Sequence, residues 1–174
     1  MKHLCNANIE VLSQLKRLIQ HCDTIYLKDP LSQHAGIGQH VRHVLDHYRA
    51  FVQGLDQQCV DYNLRTRNSA EENDPAIAAL SIDELIQWMK NLETAPYKIT
   101  VISEISLHEQ QSEAITSNAE RELLYLINHS IHHMAYASLL ASSKNVFVPR
   151  DIGLAPGTAT YERNNSKESQ HETA

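Results

Sequence analysis

Glycine and proline are scarce: five of each in 174 residues cannot supply the turns of a many-stranded all-β fold, a propeller or a collagen. Cationic excess is missing too. Fifteen Lys plus Arg stand against twenty-one Asp plus Glu, a formal charge of −6, so the chain lacks the surplus that neutralises a phosphate backbone, and no nucleic-acid partner is expected. Long apolar runs are absent. The most apolar stretch, Leu123 to Ile127, is far shorter than the ~20 residues of a membrane span, so no membrane is expected either. The three cysteines, Cys5, Cys22 and Cys59, are odd in number and lack CxxC spacing, which suits reduced thiols better than a disulfide framework. The opening MKHLCNAN has no apolar targeting core, and the expectation is a cytoplasmic protein. What remains is a globular balance, 42% hydrophobic and 21% charged, at the length of one domain.

Helical periodicity carries most of the chain. Val11, Leu12, Leu15, Leu18, Ile19 and Cys22 form one stripe between His3 and Lys28, and Asp29-Pro30 ends that helix. A second helix is predicted from Ile37 to Gln57, with Val41, Val44, Tyr48, Phe51 and Leu55 inward. The polar stretch DYNLRTRNSAEEND, residues 61–74, reads as a long surface connection that returns over the helices. Ser81-Ile82-Asp83-Glu84 and Ser117-Asn118-Ala119-Glu120 have capping-box form and predict the starts of a third helix and of a fourth, the latter reaching Ser142 or Ser143. Residues 96–106 are rich in β-branched side chains and predict an extended piece with no partner beyond a local hairpin. Four amphipathic helices argue for an all-α fold, an antiparallel four-helix bundle with an irregular C-terminal tail. A single domain is expected over residues 1–161, followed by a polar, disordered tail at 162–174.

Eleven histidines are the anomaly. His129 and His133 lie four residues apart, so at ~100° per residue they share one helix face, and two such imidazoles can bite one metal ion. His132 is rotated away by ~60° from His129. Two neutral imidazoles buried without partners would each cost a few kcal/mol, and a metal compensates both. A third ligand has to come from His40, His43 or His47 on the second helix. The helical wheel places His40 and His47 nearer the core stripe, whereas His43 lies toward Ala50 and Gly54, small residues that suggest close approach of a second helix. Geometry leaves that choice open.

The segments Gly38-Gln39-His40-Val41-Arg42-His43 and Asn128-His129-Ser130-Ile131-His132-His133 resemble the DinB/YfiT-like metalloenzyme superfamily over roughly residues 3–155. The resemblance implies a four-helix bundle binding a divalent metal, Zn, Ni or Fe, through His43, His129 and His133, with His47 in reserve. It also implies a small-molecule substrate, with characterised relatives that include transferases and isomerases using low-molecular-weight thiols. The expected function is therefore a metal-dependent transferase acting with a thiol, or a hydrolase. The alternative is a non-catalytic metal-binding or stress-response module, and a homodimer is expected in either case.

Other candidates are weaker. Glu122, seven residues before His129, is the one candidate catalytic carboxylate, as an imidazole partner or general acid/base. Tyr125 and Tyr136 flank the His129 face, Asp46 reads as solvated, and Arg150-Asp151 reads as a surface ion pair. His108-Glu109-Gln110-Gln111-Ser112 approaches an HxxxH form but ends in Ser, and reads as a polar loop.

Overall fold

The structure is a computed structural model that describes residues 1–171. Its first long helix, α1 (Lys2–His21), buries Val11, Leu12, Leu15, Leu18 and Ile19, the stripe that periodicity predicts. A 3-10 turn at Asp23–Ile25 leads to α2 (Ile37–Leu55), where the Gln39 side chain accepts from the Gly36 amide and so satisfies an orphan N–H at the helix start. The chain then forms β1 (Cys59–Asp61), the single turn α3 (Ala70–Asn73), α4 (Pro75–Asn91), β2 (Ile99–Glu104), β3 (Ser112–Ser117), α5 (Ala119–Ser143) and α6 (Pro156–His171). Helix α1 packs on α4 and α5, and α2 packs on the same two, around one apolar core. Asn8 is a polar group within it. It is fully buried and donates to the carbonyls of Leu4 and Leu123 while accepting from the Tyr48 hydroxyl, which ties α1, α2 and α5 together with its hydrogen bonds made.

The fold is mostly helical but not all-α. The extended piece at 96–106 finds two partners: β2 pairs antiparallel with β3, and parallel with β1 through Val60 opposite Val101. A parallel neighbour so distant in sequence leaves no local signal, because the strand it needs is only three residues long. Gly54 makes this strand possible. A Cβ there would come within 2.3 Å of the Cys59 carbonyl oxygen, so the small residue admits a strand rather than the second helix expected from the sequence.

Two helix boundaries also move. Helix α4 starts at Pro75, where Asp74 accepts from the amides of Ala76 and Ile77 and proline occupies the first turn, so the expected cap Ser81 lies mid-helix. Asn118 caps α5 by accepting from Arg121, while Ser117 turns its hydroxyl to Glu122. In place of an irregular tail, residues 156–171 form α6, whose first turn follows the Pro-at-start rule; residues 172–174 lie outside the described residues.

Candidate metal centre

Helices α2 and α5 face each other, and each brings histidines to the contact. His43 from α2 and His129 and His133 from α5 each offer a ring nitrogen within 4.8 Å of the others. His43 Nε2 and His129 Nε2 are already 3.1 Å apart. Nitrogens bound at 2.0–2.1 Å around a tetrahedral zinc stand roughly 3.3 Å apart, so this donor set fits a divalent ion with little movement. The rings are also kept neutral, as ligation requires. Burial first, and crowding by neighbouring imidazoles and Arg65 second, hold His129 and His133 at about 3, and push His43 lower still.

The other imidazoles surround this group without joining it. His47 is the most buried of the α2 histidines, as the wheel suggests, yet its Nδ1 donates to the His43 carbonyl at 3.0 Å and its ring is stacked 4.0 Å from His129. Burial and convergence are different properties: the core stripe selects His47, whereas the α2–α5 contact selects His43. His40 places Nδ1 2.9 Å from Nδ1 of His133, and its ring lies against Tyr136. His132 is exposed, in line with its rotation. Tyr125 stacks on His129.

Glu122 is fully buried but serves another part of the molecule. It accepts from the Tyr62 hydroxyl at 2.9 Å, from Ser117 and from Arg121, and no histidine is among its hydrogen-bond partners. Its reach to the centre is indirect, through Tyr62, whose ring stacks on His47. Arg150 and Asp151 stay at the surface, paired with Glu162 and Arg17. His108 lies exposed in the β2–β3 connection.

Sequence reasoning missed the arginines. Asp46, expected in solvent, is buried and accepts from Arg42 at 3.0 Å and from the amide and hydroxyl of Thr66. Arg42 also donates to Glu72 at 3.1 Å, and Glu72 accepts from the Asn68 amide. The polar connection 61–74 is thereby pinned over α2, and its Arg65 donates to Nδ1 of His43. Gly38 permits the approach, since a Cβ there would meet the Glu72 carbonyl oxygen at 2.1 Å. Two signals were available, the i,i+4 spacing of Arg42 and Asp46 and the arginines Arg65 and Arg67 in the polar connection, and a local window reads both as solvated.

The family model of the DinB family matches residues 1–170. The chain belongs to the DinB family. Comparison with curated proteins and with solved structures gives no match. Membership and the three-histidine group point the same way, toward a DinB-family protein able to bind a metal ion. Among the described residues no helix is long and apolar enough to cross a membrane. Cys5, Cys22 and Cys59 are free thiols, and burial pushes that of Cys22 up to about 11, which leaves it unreactive.

Proposed function

We propose that this DinB-family chain is a divalent-metal-dependent enzyme, with His43, His129 and His133 as ligands in a bundle formed by α1, α2, α4 and α5. The observation that carries the reading is the convergence of three neutral imidazole nitrogens from two helices at metal-binding separation. Three ligands leave positions for water or substrate, the form of a catalytic rather than a structural site. Zn, Ni and Fe all suit three imidazoles. A bound ion would supply a nucleophile at neutral pH by lowering the pKa of water or of a thiol. The chain's own contribution is positional: the Asn8 cluster and the α2–α5 contact set the helix spacing, burial keeps the rings unprotonated, and His40 and His47 hold the ligand rings on their outer sides. Transfer of a low-molecular-weight thiol to a small molecule is the preferred reaction, and hydrolysis is the second.

One observation favours the alternative of a non-catalytic metal module. His47 stands beside the group, stacked on His129, and a rotation that brought it in as fourth ligand would close the shell.

The test is elemental analysis of protein purified without chelators, beside a His129→Ala/His133→Ala variant. Near-stoichiometric metal in the parent and little in the variant is the expected result, and a parent that also refuses added Zn, Ni and Fe overturns the reading. X-ray absorption on the loaded protein then separates three imidazoles with open positions from four.

A further inference from the structure

Beside His43 lies a hollow of about 300 Å³ lined by Arg42, Asn63, Arg65, Arg67 and Glu104. Three guanidinium groups therefore face one carboxylate, and they differ in how they are compensated. Arg42 is held between the buried carboxylates of Asp46 and Glu72. Arg65 has no ion-pair partner among the described residues; it donates to Nδ1 of the neutral His43 ring and lies 3.4 Å from Nδ1 of His47, which is itself the donor to the His43 carbonyl. Arg67 has neither a hydrogen bond nor an ion pair among them. Glu104 forms no ion pair with either, and its amide is fixed by the Asn63 side chain at 2.7 Å. Two guanidinium groups without an ion pair among the described residues, beside a single carboxylate, are a seat for charge brought in from outside, and the guanidinium fork matches the oxygens of a carboxylate or phosphate.

Proton bookkeeping on His43 adds a second argument. A guanidinium only donates, so the Nδ1 of His43 spends its lone pair on Arg65, and the ring's single proton is then on Nε2. An imidazole that gives its lone pair to a metal has only an N–H left on the other nitrogen and can accept nothing there. Metal at His43 and the Arg65 hydrogen bond therefore exclude each other, and loading the site releases Arg65 toward the hollow.

We propose that this arginine-lined hollow seats an anionic group of the ligand, a carboxylate or a phosphate, with Arg65 and Arg67 as its contacts. The substrate class is thus a small anionic molecule, an inference that rests on the metal-dependent reading for the position of the reacting end. Its test is calorimetric titration of zinc-loaded and zinc-free protein with succinate and with methyl phosphate, for the parent and for an Arg65→Gln/Arg67→Gln variant, with bound zinc counted separately. The parent is expected to bind one of the two anions, and which one identifies the group. Because loading already releases Arg65 from His43, the zinc-loaded variant is expected to keep the parent's zinc content and melting temperature and to bind that anion at least tenfold more weakly. Equal binding by parent and variant, or no binding of either anion by the parent, overturns the proposal. If the parent takes neither zinc nor added nickel or iron, the metal reading fails by itself. The anion seat then stands or falls on the zinc-free titrations, where binding lost in the variant upholds it and absent or unchanged binding overturns it.

Discussion

His40 and His133 meet nitrogen to nitrogen, Nδ1 against Nδ1 at 2.9 Å, while the Nε2 of His40 is buried with no partner among the described residues. One proton lies between the two Nδ1 atoms, and its owner decides whether His133 can be a ligand through Nε2. When His133 keeps it and donates to His40, the Nε2 lone pair of His133 is free, which is the usual way an outer partner fixes a ligand's tautomer.

His40→Leu removes that acceptor and is expected to weaken zinc binding about 10- to 100-fold, the usual cost of losing such a partner. His40→Asn, whose side-chain oxygen stands near the position of Nδ1, is expected to recover much of the loss. Competition titrations against a chromogenic chelator measure both, and equal affinities for parent and Leu variant would remove His40 from the site.

Acid should destabilise the metal-free protein early. His47 is held at about 4 and His129 and His133 at about 3, chiefly by burial, against an ordinary value of 6.5. The unfolded chain therefore takes up protons first, so stability is full above pH 6.5 and is lost as pH falls toward these folded values. Each histidine contributes a slope on the order of 1 kcal/mol per pH unit in that window. Urea unfolding of chelator-treated protein at pH 7.5, 6 and 5 should show the midpoint falling, and a flat profile would mean that the rings are hydrated in the fold.

Gly54→Ala drives a methyl group into the Cys59 carbonyl, where backbone rather than a flexible side chain has to yield. A loss of about 1–3 kcal/mol is expected by urea unfolding, as for other overpacked sites. Exchange of the Thr100 amide, which donates to the Gln58 carbonyl at this junction, should rise with it. A neutral outcome would show that β1 can move away from α2 at little cost.

The sequence by itself determined α1, α2 and α5 and the pairing of His129 with His133, because all follow from a fixed angle per residue along one helix. Periodicity in α1 and α2 names nearly the same buried residues that the core contains. Family resemblance, and not spacing, singled out His43 from the three histidines on α2, since the choice depends on where α5 crosses. Only the tertiary structure decided what lies between distant segments: the pairing of β1 with β2, the burial of Asp46 under Arg42 and Thr66, and the placement of Arg65 on His43. Val60 with Val101, Asp46 with Thr66 and His43 with Arg65 stand some twenty to forty positions apart, whereas Arg42 and Asp46 are four apart on α2 and are covered by a polar loop that a local window reads as solvated. The burial of Asp46 is set by the loop that Thr66 brings over it, and that loop's position is a property of the packed chain.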